Sequence, residues 1–194
     1  MKLLIALILT LTLVSACTKS DTMYVGVDPI TDVAGSYELE PPSQLPLAKP
    51  TQVVELIDGG EYTLTAEKVR KELAGRTITM YGYNGMIPGP IYAAKKGTSA
   101  TITFQNNLDK DTAVHWHGLR GDYTADGTPG LGQDVIRPGE SFVYKLVFPD
   151  EGIFWYHPHV REDAQQDLGL HGNVFVSGLS AIAGTPDVEK YLVI

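Results

Sequence analysis

Apolar and polar residues alternate with a period of two through much of this chain, and this pattern restricts the fold to β-structure. From Ser141 to Phe148 every second residue is aromatic or leucine, and from Ala100 to Phe104 apolar residues alternate with threonines. Side chains two apart in a strand share one face, so each segment predicts a strand with one buried face. Turn sequences such as Pro138-Gly139 separate these segments. The pattern predicts an all-β antiparallel sandwich or barrel.

Helical patterns are scarce in the sequence. The segment Glu67 to Leu73 and the segment Glu162 to Leu168 carry residues that favour helix, and each predicts one short helix. We therefore expect helices to contribute little to the fold.

Two His-x-His pairs, His115-Trp116-His117 and His157-Pro158-His159, hold four of the five histidines of the chain. On an extended strand the imidazoles at i and i+2 lie side by side, so each pair offers two nitrogen ligands to a metal ion. Neutral imidazole is a good ligand for copper, zinc, iron and nickel. The fifth histidine, His171, stands alone, and we expect it to be structural or solvated.

Export is predicted from the first residues. Residues 1–16 combine Lys2 with a short apolar run and small residues, as in a secretory signal peptide. The segment Val14-Ser15-Ala16-Cys17 resembles a bacterial lipobox, so Cys17 is expected to be lipidated and to anchor the mature protein to a periplasmic or cell-surface membrane; an ordinary signal peptide is the alternative. Cys17 is the only cysteine, so the remainder has no thiolate for catalysis or metal binding.

The domain organisation follows from composition. Residues 17–50 read as a lipidated N-terminus and tether, residues 51–180 as one domain that carries both histidine pairs, and residues 181–194 as the start of a following domain or a linker strand. We favour truncation of a longer protein over a terminal strand that pairs elsewhere. The net charge of -8 argues against nucleic acid as a partner and against anionic lipid.

The histidine pairs stand among further motifs in a fixed order. His115-Trp116-His117-Gly118 is followed by Asp126-Gly127-Thr128-Pro129 and then by Trp155-Tyr156-His157-Pro158-His159, while Asn84 to Pro90 precedes them. From about Tyr81 to Val176 this order resembles the first cupredoxin domain of the multicopper oxidases, the laccase-like enzymes. The resemblance implies a cupredoxin-like Greek-key β-sandwich or barrel.

The resemblance also implies roles for single residues. His115 would be a ligand of a type 2 copper, and His117, His157 and His159 would bind a type 3 pair, within a trinuclear cluster that reduces dioxygen to water. Asp126 lies where the family commonly has an acidic residue near the cluster. It is expected to be a proton relay or to orient water or an imidazole, and an ordinary Asp-Gly turn residue is the alternative.

The sequence departs from the family in what it lacks. In the family a distant domain contributes further His-x-His motifs and a His-Cys-His segment whose cysteine binds the type 1 copper. Here no cysteine follows Cys17, and a type 1 site requires one. The resemblance therefore implies half of a trinuclear cluster, to be completed by a C-terminal cupredoxin domain in cis or by a partner chain in trans.

Two alternatives to an oxidase remain. A stand-alone, lipid-anchored module that binds or sequesters copper would need the same four histidines and no electron entry site. A zinc lyase or hydrolase would also use a His-x-His pair on a strand together with a third histidine. The surrounding motifs favour copper over zinc.

Overall fold

The computed structural model describes residues 39–178. The predicted signal sequence 1–16, Cys17 and the segment 181–194 lie outside the described residues. No helix in the described part is long and apolar enough to cross a membrane.

Strands dominate residues 39–178, which contain one short α-helix and two 3-10 helices, at Pro42–Gln44 and Tyr123–Ala125. The strands and helix are β1 (Val53–Glu55), β2 (Gly60–Leu73), β3 (Arg76–Tyr83), β4 (Ile91–Lys95), β5 (Ser99–Asn106), β6 (His115–His117), β7 (Ser141–Val147), β8 (Gly152–His157), α1 (Glu162–Gln165) and β9 (Gly172–Ser177). The alternating segments of the sequence form β5 and β7, as predicted.

The strands form two sheets, one in the order β1-β4-β9-β8-β6 and the other in the order β3-β2-β5-β7. The all-β prediction is confirmed, but the expectation of purely antiparallel sheets is wrong. β4 pairs in parallel with both β1 and β9, and β2 pairs in parallel with β5. Parallel neighbours arise because the chain crosses between the sheets, so that strands distant in sequence come to lie side by side.

The helix predicted from Glu67 to Leu73 is also wrong, because this segment is the second half of the long strand β2. Its residues pair antiparallel with β3, from Ala66 opposite Tyr83 to Leu73 opposite Arg76. Val69 is fully buried in this pairing. Pairing with a neighbouring strand outweighs the weak local preference for helix.

The second predicted helix exists but is shorter than expected, since α1 covers only Glu162–Gln165. The chain continues from it in turns that end at Gly169. This residue has a φ of 117°, and a Cβ there would lie 2.5 Å from the carbonyl oxygen of Tyr81. A glycine at this point therefore allows the chain to return closely against β3.

The core lies between the two sheets and is rich in aromatic residues. Trp116 of β6 is its largest member, and its ring packs 5.2 Å from that of Tyr156, 5.7 Å from that of Tyr144 and 6.2 Å from that of Tyr92, between centroids. These contacts bury the central residue of the first histidine pair. Successive side chains on a strand point to opposite faces, so with Trp116 in the core both flanking histidines point away from it.

Candidate metal centre

The two histidine pairs meet at one edge of the five-stranded sheet. β6 pairs antiparallel with β8 so that His115 lies opposite His157, Trp116 opposite Tyr156, and His117 opposite Trp155. Trp116 and Tyr156 are buried in the core. The histidines therefore project from the opposite, outer face of the sandwich.

His159 joins the other three histidines although it does not lie on a strand, as a strand pair would have predicted. β8 ends at His157, and Pro158 and His159 lie in the turn that leads to α1. Proline has no N–H to donate to a ladder, which fits a strand that stops here. Three of the four histidines are thus held by the ladder, and His159 is held by the turn.

The four imidazoles form one cluster. The ring centroids of His115 and His159 are 4.6 Å apart, and those of His117 and His157 are 5.4 Å apart. One ring nitrogen from each of His115, His157 and His159 lies within 4.8 Å of the others. The Nδ1 of His117 lies 3.2 Å from the Nε2 of His157. The structure therefore brings together all four histidines that the sequence analysis singled out.

Backbone carbonyls fix which nitrogen of two rings faces the cluster. The Nδ1 of His115 lies 2.9 Å from the carbonyl oxygen of Asp126, and that of His157 lies 3.0 Å from the carbonyl oxygen of Pro158. A carbonyl oxygen can only accept, so each Nδ1 carries the proton and donates it. The Nε2 of each ring then carries the lone pair, as in metal-binding histidines.

His157 is the most buried member of the cluster, with 3% of its surface exposed. Burial lowers its pKa to about 4, and the three neighbouring histidines act in the same direction. The ring is therefore neutral at physiological pH, which is the form that binds metal. His115 and His159 are half-buried and His117 is exposed, so the cluster is open to the outside on one flank.

Asp126 contacts His115 through both its backbone and its side chain. Besides the carbonyl contact, its carboxylate Oδ2 lies 3.2 Å from the Nδ1 of His115, and it accepts from the backbone N–H of Thr128 at 3.3 Å. Partial burial acts to raise the pKa of Asp126, but hydrogen bonds from Thr128 and the proximity of His115 outweigh it and leave the pKa below its usual value. Asp126 is also the turn residue of the alternative interpretation, because it ends the 3-10 helix Tyr123–Ala125.

Gly127 holds the Asp126 loop against β6. Its φ is 87°, and a Cβ at this position would overlap the carbonyl oxygen of Val114. The backbone N–H of Trp116 also donates to the carbonyl of Asp126 at 3.2 Å. The loop therefore lies directly on the strand that carries the first histidine pair, and only glycine fits at its closest point.

The charged residues after the second pair divide into two groups. Arg161 and Asp163 form a two-point ion pair, with both N···O distances at 2.9 Å, as expected of a charged surface. Glu162 instead places a carboxylate oxygen 3.5 Å from the Nδ1 of His159. A carboxylate at Nδ1 would leave Nε2 of His159 as the metal-binding atom, as in His115 and His157.

Two contacts of the cluster went unnoticed in the sequence. The Trp155 ring stacks on that of His157 at 3.9 Å with an interplanar angle of 23°, and it lies 5.1 Å from the His117 ring. The signal was present, because Trp155 and His157 are two apart on one strand and share a face. The buried Gln165 at the end of α1 has no such periodic signal in the sequence.

His171 lies apart from the four histidines. Burial lowers the pKa of His171, and the positive charge of Lys71 adds to this effect. Its Nδ1 has no hydrogen-bond partner among the described residues.

The donor set fits a transition metal of borderline softness. Four imidazoles converge, one of them is deeply buried, and carbonyls fix two of the rings. Copper and zinc both accept such ligands. Because the rings face outward, a second protein surface is able to add ligands to any metal bound here.

Comparison with known proteins favours copper over zinc. A family model described as multicopper oxidase matches residues 65–180, more than half of the chain. The chain is 31% identical over 144 residues to copper resistance protein A of Pseudomonas syringae pv. tomato, covering 74% of this chain and 22% of that protein. It is 38% identical over 119 residues to multicopper oxidase mco of Staphylococcus aureus, covering 59% of this chain and 26% of that protein.

Solved structures agree with the sequence matches. The crystal structure of the blue copper oxidase from Nitrosomonas europaea superposes with a TM-score of 0.61 at 30% identity, covering 64% of this chain and 41% of that one. The chain spans about a fifth of the length of the curated relatives it matches.

Proposed function

This chain belongs to the multicopper oxidase family, and on that premise we propose that it supplies half of a trinuclear copper cluster at which dioxygen is reduced to water. The family resemblance and the cupredoxin-like fold expected from the sequence are confirmed. Copper is the cofactor that the family implies. In the proposal His115 binds the type 2 copper, and His117, His157 and His159 bind the type 3 pair.

The convergence of the four imidazoles on one outer face carries this proposal. The Nδ1 of His117 and the Nε2 of His157 lie 3.2 Å apart, and the neutral state of His157 removes the cost of deprotonating it before binding. Rings held by a β-ladder and by backbone carbonyls also lose little freedom on binding.

The protein residues around the cluster have separate tasks in this proposal. Bound copper supplies the one-electron chemistry that side chains lack. The Asp126 carboxylate, which is ionised at neutral pH, relays protons from solvent to the surroundings of His115, where reduction of dioxygen would consume them. Trp155 covers one face of His157 and limits its movement.

The missing half of the cluster would come from another cupredoxin domain, in cis or as a partner chain in trans. The outer face that carries the histidines is the surface on which that domain would dock. A type 1 copper requires a cysteine ligand. It would therefore lie in the other domain, because Cys17 is the only cysteine of this chain. The reducing substrate would be selected by that second domain.

Export and lipidation at Cys17 also belong to the proposal. The segment 1–16 and the lipobox-like Val14 to Cys17 motif support them. Export would place the copper site in the periplasm or on the cell surface. Globomycin, which blocks lipoprotein signal peptidase, is then expected to cause accumulation of the precursor, and Cys17→Ser to release the protein from membranes.

A copper-binding module without oxidase activity is the second candidate function. Its support is that His117 is exposed and the cluster is open on one flank, so a copper ion has access without a second domain. The reading frame downstream of Ile194 separates the candidates. A frame with further His-x-His motifs and a His-Cys-His segment supports the oxidase, and a stop codon supports the module.

Copper titration of the purified chain tests the site itself. The double variant His117→Ala with His157→Ala removes the closest nitrogen pair, and we expect it to lose tight Cu(II) binding. The matched control His171→Ala removes a histidine outside the cluster and is expected to keep the wild-type stoichiometry. Unchanged stoichiometry in the double variant would contradict the proposal, and zinc in place of copper in the purified protein would redirect it to the hydrolase class.

A further inference from the structure

The ladder that joins the two histidine pairs is short. β6 is an edge strand of three residues, and it has a hydrogen-bonded neighbour only in β8 among the described strands. His159 lies beyond the end of β8, so no ladder bond fixes it. The position of His159 relative to His115 therefore depends on contacts outside the ladder.

One buried side chain connects the chain after His159 to the chain before His115. Gln165, the last residue of α1, is fully buried. Its Oε1 accepts from the Thr112 hydroxyl at 2.7 Å, and its Nε2 donates to the carbonyl of Asp111 at 2.8 Å. These bonds span more than fifty positions of sequence, and Thr112 is three residues before His115.

Both ends of this connection are anchored. At one end, the backbone N–H of Gln165 donates to the carbonyl of Arg161 at 2.8 Å, and Arg161 is two residues after His159. At the other end, the backbone of Thr112 exchanges hydrogen bonds with that of Ile136, at 2.8 and 3.0 Å. A buried amide with both of its polar atoms bonded has one favourable orientation, so it fixes the distance between the segments that it joins.

We propose that Gln165 is a positioning residue of the copper site, which holds His159 in register with His115 through its bonds to Thr112 and Asp111. It acts through the turn between His159 and α1, where its backbone N–H donates to the carbonyl of Arg161. The inference rests on the proposed function, because it assigns the residue that aligns the two histidine pairs for one copper cluster.

Substitutions that remove one or both of the side-chain bonds of Gln165 test this role in the full chain. Gln165→Met keeps the size of the side chain and removes both bonds, and Thr112→Val removes the hydroxyl alone. Thr112→Ser keeps the hydroxyl and removes only the methyl group. The matched control is Thr79→Val on β3 in the other sheet, since the Thr79 hydroxyl is also buried and donates to the carbonyl of Glu40 at 2.6 Å.

The measurements are Cu(II) affinity against a competing chelator, the Cu(II) electron paramagnetic resonance spectrum, and thermal unfolding. We expect Gln165→Met and Thr112→Val to weaken binding about tenfold, as loss of supporting contacts around a metal site commonly does, and to change the copper hyperfine splitting. Thr112→Ser and Thr79→Val are expected to keep the wild-type affinity and spectrum. If Gln165→Met does not fold, the comparison of Thr112→Val with Thr112→Ser tests the positioning role.

The outcomes separate this inference from the function on which it rests. Wild-type copper binding with unchanged affinity and spectrum in Thr112→Val and Gln165→Met overturns the positioning role alone. An equal loss in Thr79→Val overturns it as well, because the effect would then follow stability. A wild-type chain that takes up no copper overturns the proposed function, and the positioning role with it.

Discussion

The Nδ1 of His117 lies 3.2 Å from the Nε2 of His157, although the two residues are 40 positions apart in sequence. His157 donates its own Nδ1 proton to the carbonyl of Pro158, so its Nε2 accepts and His117 donates. A metal that took both nitrogens would replace this shared proton. The contact therefore places two candidate ligand nitrogens side by side.

The Asp126 loop offers a test of how closely it must approach β6. Gly127→Ala places a methyl group onto the carbonyl of Val114 and forces a positive φ on alanine. We expect it to lower the free energy of unfolding by about 3 kcal/mol, at the upper end of single substitutions, as measured by urea denaturation. Gly139→Ala is the control, since Gly139 also has a positive φ but nothing lies within 4 Å of the added Cβ. Equal losses in the two variants would contradict the close packing.

Asp126→Asn separates the charge of this residue from its backbone contact. The carbonyl of Asp126 still accepts from His115, so we expect copper affinity to change by no more than a few fold. In the copper-loaded oxidase that contains this domain, dioxygen reduction should slow by about 100-fold, as is typical for loss of a proton-transfer group. Oxygen uptake measured with an electrode checks this. An unchanged rate would leave Asp126 as a turn residue.

Trp155→Leu tests the stacking of the indole on His157. The variant keeps an apolar side chain but loses the stacked ring at 3.9 Å, and aromatic pairs contribute about 1 kcal/mol beyond their buried area. We expect a loss of stability of that order and weaker copper binding, by urea denaturation and chelator competition. Trp155→Phe keeps a ring and should retain most of both. Loss of copper affinity in Phe and Leu variants alike would point to the indole N–H instead.

His171 predicts a specific dependence of stability on pH. Burial and then Lys71 lower the pKa of His171 in the folded state, so the unfolded chain binds a proton more readily. Its contribution to stability is complete above about pH 6.5, the ordinary pKa of histidine, and declines as the pH falls toward the lowered folded-state value. Unfolding at pH 7 and pH 5 should show a smaller decline for His171→Gln than for the wild type. Parallel declines would contradict this.

The sequence predicted the parts of the site that follow from the two-residue period of a strand. His115 and His117 had to share a face once Trp116 was in the core. The same period puts Trp155 beside His157, although this contact was not predicted. The period did not predict the end of β8 at His157, because His159 lies in a turn. In our proposal its position also depends on the bonds of Gln165 to Thr112 and Asp111. A lone glutamine gives no periodic signal of such a role.

The errors in the fold have a similar physical origin. The segment from Glu67 to Leu73 has residues that suit a helix, yet it pairs along its whole length with β3, the next strand, in a hairpin. The parallel pairing of β2 with β5 depends on a crossover between sheets. Local patterns determine which segments are strands more firmly than they determine their neighbours.

Anomalous diffraction at the copper absorption edge, from crystals of the chain grown with Cu(II), tests the central claim most directly. The proposed site predicts density peaks about 2 Å from ring nitrogens of His115, His117, His157 and His159, a distance typical of metal–imidazole bonds. Copper that binds only elsewhere, or no peak among these four rings in a copper-saturated crystal, would contradict it.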